Sequence, residues 1–396
     1  MKTIVFTFLV SLLFISVVFG QSDSDSKAFL LVGKIIGKDS GRITIWYEVD
    51  KSYVSDTLDV KNGTFYFDGK ISEPTYVLIM EPGSRPSAPK KMVGMYIESG
   101  VMKLTLYEDH FKDFELIGSQ TQKDQNEYFV LQKTLGGLVD SLHSQLIALN
   151  PTFKKVVDEQ INKKMWVISD KLDSARSELH LGNISFISNH PKSFVSLKLL
   201  DYPGLTDQLS LDSMKKFYSR LDTIIKKSEN GQKLKRDILN RERSAVEAIA
   251  PDFKTTNANN DTIKLSDFRT KNDLLLYFWS LGNKPSRAAF SHIKDVYQKY
   301  HSKGLEVICI GAVFLRDKWI EVIRKDSLES FHHVFSRGLF MLGDTTDILH
   351  KYSVEGCSWD LHILPVQILI DKTGKIVGRW QDDMESMDKR LTEIFK

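Results

Sequence analysis

Leu274-Leu275-Leu276-Tyr277-Phe278-Trp279-Ser280-Leu281-Gly282-Asn283-Lys284-Pro285-Ser286-Arg287 is the stretch that decides the fold. The apolar run from Leu274 to Trp279 has no helical period. A Gly282, Asn283 and Pro285 break follows, and then Ala288, Ala289, Phe290 and Ile293 recur at helical spacing. The pattern predicts a buried strand that enters a helix over 288–303 through a short turn. A helix N-terminus at such a turn offers unpaired N–H groups and a partial positive charge, the conditions that lower the pKa of a cysteine. The turn holds no cysteine. Asn283 reads as an N-cap, and Ser286 as a first-turn residue with no base identifiable to make it a nucleophile.

Further elements surround this core. Ala250-Pro251-Asp252-Phe253 opens the region, and Asp261 to Phe268 reads as a short hairpin and turn leading into the central strand. Downstream come a strand over Leu305 to Ala312, a helix around Trp319 to Lys325, a strand-poor stretch to Tyr352, and a strand from Leu364 to Asp371. Asp371-Lys372-Thr373-Gly374-Lys375 reads as a hairpin turn with Gly374 in the left-handed slot, and Met387 to Phe395 as a closing amphipathic helix. Alternating strands and helices followed by a hairpin predict an α/β layer architecture over residues 248–396.

These motifs resemble the TlpA/ResA-like, AhpC/TSA-type thioredoxins, whose active-site pattern is Phe-Trp-Ala-x-Trp-Cys-x-Pro-Cys-Arg. Phe278, Trp279, Pro285 and Arg287 match it, Gly282 stands for the second tryptophan, and Asn283 and Ser286 occupy the two cysteine positions. The resemblance implies a thioredoxin fold, a thiol-disulfide oxidoreductase or peroxidase ancestry and a cis-proline at Pro365 facing the turn. A platform at that proline would pair with an extended peptide. Dithiol exchange needs a thiolate attacker and a resolving thiol, and an amide and a hydroxyl supply neither.

Upstream, residues 27–119 are β-like. Short β-branched and aromatic runs, such as Val32 to Ile36, Arg42 to Tyr47 and Thr64 to Phe67, alternate with turn signals at Asp39-Ser40-Gly41, Asn62-Gly63 and Pro82-Gly83. A small antiparallel sandwich or barrel is expected. Gly33, Asp59 to Phe65, Glu73-Pro74, Ile97 to Gly100 and Gly118-Ser119 resemble the β-rich domain of unknown function that often precedes thioredoxin-like domains in exported bacterial proteins. Over 120–245 the period changes to three and four, as in Ile161, Met165, Ile168 and Leu172, which predicts amphipathic helices broken at Ser188 to Ser193 by Pro191.

The chain has 396 residues, enough for two or three domains, and its 42% hydrophobic and 27% charged content is that of a globular protein. Residues 1–20 carry Lys2 and then an apolar run to Phe19, a secretory signal pattern with no lipoprotein cysteine after it. The mature chain is expected to be exported, periplasmic or in the cell envelope of a Gram-negative-type bacterium, with no integral membrane segment after cleavage. A net charge of +3 gives no argument for nucleic acid.

The two cysteines do not form a CxxC. Cys309 lies in a strand-like run and reads as a buried hydrophobe, while Cys357 follows Gly356 in a loop and is the better exposed thiol. His143, His180 and His190 have no metal-ligand spacing, and the adjacent His332 and His333 would diverge on any element. No phosphate-binding, zinc-protease, dinucleotide or nucleophile-elbow motif occurs, so neither a cofactor nor a metal is expected. The expected function is a multidomain, exported thioredoxin-like module with a degenerate site at Asn283, Lys284, Pro285 and Ser286. Trp279, Asn283, Ser286, Leu364 and Pro365 would bind a peptide or protein client. The alternative is thiol-disulfide exchange through Cys357 or Cys309.

Overall fold

The computed structural model describes residues 26–49, 52–82, 91–150, 158–202, 209–313, 315–336, 347–352, 354, 364–381 and 383–396. Its first compact unit is one sheet of eight strands: β1 (Lys27–Ile36), β2 (Ser40–Val49), β3 (Ser52–Lys61), β4 (Thr64–Ile71), β5 (Thr75–Met80), β6 (Met92–Ile97), β7 (Gly100–Tyr107) and β8 (Glu115–Ile117). The order is β6-β5-β2-β3-β4-β1-β7-β8. Alternate residues point inward, as the two-residue period of a strand requires. Leu31, Ile35, Ile43, Ile45, Phe65, Val77, Ile79, Met95, Met102, Leu104 and Leu106 are all buried. With one apolar face to cover, the sheet curls over it. The Asn62-Gly63 turn has φ of 51° and 70°, the left-handed pair that a two-residue hairpin needs.

One pairing departs from the all-antiparallel expectation. β1 and β7 run parallel, from Phe29 opposite Gly100 to Ile36 opposite Tyr107. The long excursion through β2 to β6 supplies the crossover that a parallel neighbour requires. Gly33 lies opposite Phe65, and a Cβ there would come within 1.9 Å of the phenyl ring. The missing side chain therefore makes room for the ring.

The second unit begins with helices α1 (Gln120–Leu149), α2 (Glu159–Asn189), α3 (Phe194–Leu200), α4 (Leu211–Arg220), α5 (Thr223–Lys227) and α6 (Glu229–Arg243). Side chains of Ser119, Asp158, Ser193, Ser210, Asp222 and Ser228 cap them in turn. The break at Pro191 is as expected: α2 stops at Asn189, and Ser193 starts α3. His190 stacks on Phe186 at 4.2 Å and its Nε2 lies 3.2 Å from Glu127.

The remaining elements are β9 (Lys254–Thr256), β10 (Thr262–Lys264), β11 (Asp273–Trp279), α7 (Lys284–Ala288), α8 (Phe290–Tyr300), β12 (Leu305–Ala312), α9 (Arg316–Lys325), β13 (His332–Ser336), α10 (Ile348–Lys351), β14 (Val366–Ile370), β15 (Ile376–Gln381) and α11 (Met384–Ile394). Five of the strands form a sheet ordered β13-β12-β11-β14-β15. β12 runs parallel to both β11 and β13, and β14 antiparallel to both β11 and β15. All seven residues of β11 are buried. Leu274, Leu276 and Phe278 enter one core and Leu275, Tyr277 and Trp279 the other, which is why the run shows no alternation.

Two expectations need correction. The helix after the turn begins at Lys284 rather than Ala288, because proline is well tolerated in a first turn. α7 continues into α8 through Ala289, whose φ of −68° and ψ of −17° are close to helical. The stretch expected to be poor in strands contains β13, which adds to the sheet beside β12. Before β9, the chain pairs along the hairpin that opens β15. Glu247 N–H donates to Ile376 C=O, Ile376 N–H to Ala248 C=O and Ala250 N–H to Gly374 C=O, each at 2.8 Å.

Candidate functional site

The site forms where β11 ends. Asn283 has an extended backbone, and its Oδ1 accepts a hydrogen bond from the Ser286 N–H at 2.8 Å. It is therefore an N-cap that satisfies one of the helix's orphan donors. Pro285, with no N–H to satisfy, fits the same turn. Ser286 is completely buried. The Tyr277 hydroxyl, rising from the strand below, donates to the Ser286 carbonyl. Phe290 meets Tyr277 and Trp279 edge-on, at 5.0 and 4.9 Å between centroids. Arg287 reaches outward to Asp326 at 2.7 Å.

The register supplies the other half of the site. Phe278 is opposite Val366, so the end of β11 and the start of β14 lie at the same end of the sheet. Leu364 and Pro365, joined by a cis peptide bond, come just before that start. The sequence-derived site residues thus meet at one end of the sheet, but their side chains differ in access. Trp279, Ser286, Leu364 and Pro365 are buried, Asn283 is half-buried, and Gly282, Lys284 and Pro285 are exposed. A ligand here would meet backbone and the exposed trio rather than the Trp279, Ser286 or Leu364 side chains.

The thiol expectations divide. Cys309, on β12 opposite Tyr277, is free and completely buried. Burial pushes its thiol well above the ordinary cysteine range, because an apolar interior disfavours the thiolate. This removes Cys309 as an exchange thiol. Cys357 lies outside the described residues. Among the described residues, no group of three or more His, Cys, Asp or Glu side chains could hold a metal ion. His332 and His333 diverge as their adjacency requires: His333 is buried with Nε2 2.7 Å from Leu328 C=O, and His332 is part-exposed beside Glu306.

Two residues beneath the turn escaped the sequence reading. Tyr277 places a hydroxyl within the apolar run from Leu274 to Trp279, and that hydroxyl holds the first helical turn. Gln367, opposite it on β14, is completely buried, with no hydrogen-bond partner for either amide atom among the described residues. The signal available for both was a polar group inside an apolar strand.

Removing the cap should have a measurable cost. Asn283→Ala is expected to lower the stability of this unit by about 1 kcal/mol, read as a shift in the denaturant midpoint of its transition. An unchanged midpoint would show that the cap contributes nothing.

The comparisons with known proteins bear on this geometry. Residues 246–379 match the AhpC/TSA family, and residues 29–125 match a domain of unknown function, DUF4369. The thiol-disulfide oxidoreductase ResA of a Bacillus cereus strain is 29% identical over 139 residues, 35% of this chain and 71% of that protein. ResA of Geobacillus kaustophilus is 29% identical over 133 residues, 33% of this chain and 67% of that protein. Among solved structures, a putative thiol:disulfide interchange protein DsbE from Chlorobium tepidum aligns at 23% identity and a TM-score of 0.32, covering 38% of this chain and 99% of its own. A thiol-disulfide oxidoreductase from Bacteroides fragilis aligns at 28% identity and a TM-score of 0.30, covering 37% and 98%. On the family matches alone, residues 246–379 correspond to an AhpC/TSA domain of thioredoxin-like fold, and the N-terminal sheet falls within the residues that match DUF4369.

Proposed function

We propose that this protein is an exported, thioredoxin-fold binding module whose turn no longer performs dithiol exchange. One observation carries the reading: where the family pattern has its two cysteines, Asn283 is engaged as a helix cap and Ser286 is buried. Exchange proceeds by thiolate attack and resolution by a second thiol. Neither residue has a sulfur, and Cys309 is inaccessible. What remains is an end of the sheet where the backbone of Leu364 and Pro365 and the exposed Gly282, Lys284 and Pro285 can receive an extended peptide. The leader pattern of residues 1–20 supports export to the periplasm or envelope. Among the described residues no helix is long and apolar enough to cross a membrane.

The names of the ResA relatives favour a second reading, in which Cys357 performs exchange. A two-part assay on the full mature chain separates the two. The pre-reduced protein is mixed with a model disulfide, and separately titrated with an unfolded, S-alkylated polypeptide that has no thiol to exchange. The expected result is no turnover, together with saturable binding. Turnover that disappears in Cys357→Ser would move the chemistry to that thiol, and absence of binding would remove the module reading.

A further inference from the structure

α1 and α2 form a hairpin that is packed at its two ends and thinly packed between them. At the inner end, Tyr128, Phe186 and Ile187 share one core with buried side chains of α3, α4, α5 and α6. The Tyr128 hydroxyl ties the helices together there by donating to Asn183 Oδ1 at 3.0 Å. At the outer end, Leu142, Leu172 and Ala175 form a second, smaller core that, among the described residues, draws on α1 and α2 alone. Between the two cores, no residue of 129–141 in α1 or of 176–185 in α2 is buried. Leu135 and Leu179 are half-buried, and the buried Nδ1 of His180 has no hydrogen-bond partner among the described residues.

Gly136 and Gly137 fall in this thin stretch, near the middle of a 30-residue helix. A glycine inside a helix disfavours the helical state by about fivefold relative to alanine. Two other helical glycines are accounted for by close packing. A Cβ at Gly182 of α2 would lie 3.2 Å from the Leu131 side chain, and one at Gly231 of α6 would lie 2.0 Å from the Ile225 carbonyl oxygen. At Gly136 and Gly137 an added Cβ would meet nothing within 4 Å. Packing does not require these two glycines, and what they add to the helix is backbone freedom.

We infer that Gly136-Gly137 is a hinge, at which α1 gives way while α2 flexes beside it and the outer half of the hairpin tilts as one body. Three features meet at this point. The adjacent glycines weaken the helix at a single place, which is the kind of local cause that a sharp bend needs. With no side chain buried beside them, bending there exposes little apolar surface. The outer core keeps the far parts of α1 and α2 together as they move. Residues 138–149 make a lever about 18 Å long, so a bend of about 20° would carry its tip about 6 Å. The hairpin is thus a jointed arm whose root is fixed among α3 to α6 and whose far end takes more than one position.

Two measurements on the full mature chain test the inference together. In hydrogen exchange, amides of 134–141 are expected to exchange at least about tenfold faster than those of 124–128 and 142–146. Gly136→Ala/Gly137→Ala should slow them by about twenty-five-fold, fivefold for each glycine. Spin labels placed by Lys164→Cys and Lys216→Cys in a Cys357→Ser background then report the tilt. Lys164 of α2 and Lys216 of α4 are exposed, and Cys309 is buried away from the labelling reagent. The distribution of distances between the labels should be broad, and the two alanines should narrow it by at least about twofold. Even exchange along α1 overturns the hinge, and so does a distribution whose width the alanines leave unchanged. A double-alanine variant with less helix by circular dichroism overturns it as well, because the open space around both glycines is its premise.

Discussion

Asn283→Cys/Ser286→Cys, made in a Cys357→Ser background, is expected to turn over a model disulfide at pH 7 where the parent chain does not. Position 283 caps a helix that continues through Ala289 to Tyr300, so a thiolate there would face unpaired N–H groups and the positive end of the dipole. Lowering a thiol pKa from 8.5 to about 7 gives roughly fifteenfold more thiolate at neutral pH. The three-residue spacing within one helical turn suits a disulfide, whose Cα atoms lie about 5.5 Å apart. Position 286 is buried, which shields a resolving thiol from solvent reagents. Two controls make the outcome decisive: thiol titration to show that the introduced thiols react, and circular dichroism to show that the variant folds. A folded variant with reactive thiols and no turnover would mean that the geometry at the end of β11 is not that of an exchange site.

The second large effect is structural. Trp319→Ala should destabilise the thioredoxin-like domain by about 3–5 kcal/mol, a large share of the roughly 5–15 kcal/mol that holds a typical domain together. Trp319 is completely buried, and its ring lies 5.5 Å from that of Phe335. Across from it is Gly311, where a Cβ would come within 2.5 Å of the indole Nε1. The glycine exists to admit the indole, so it has no side chain of its own to swing into the space left by alanine. Urea unfolding of the full chain, followed through this domain's transition, measures the loss. Trp319→Phe should lose clearly less, and a loss under about 1 kcal/mol for alanine would show that the site collapses.

The sequence carried most of this architecture in its periods and turn residues. Leu274 to Trp279 declared a strand buried on both faces, and Asn62-Gly63 and Gly374 declared their left-handed turns. Pro191 and Ser193 marked the break between α2 and α3. What stayed hidden depended on partners far away in the chain. β13 reads as His-His-Val-Phe-Ser, with neither alternation nor a clean apolar run, and it becomes a strand through its pairing with β12. The parallel pairing of β1 with β7 likewise has no local signature. At the candidate site, the cap by Asn283 was legible from residue type alone. The burial of Ser286 was not, because it depends on Tyr277 and Phe290 closing beneath the turn.

The pairing before β9 has a mechanical consequence. Three hydrogen bonds fasten Glu247 to Ala250 along the hairpin that opens β15, and Lys375 pairs with Glu247 beside them. These bonds lie across the chain direction. Tension drawn along this segment from the helical side therefore loads them together in shear, whereas a force lifting the segment sideways would open them one at a time. The attachment resists a pull along the chain far better than it resists peeling.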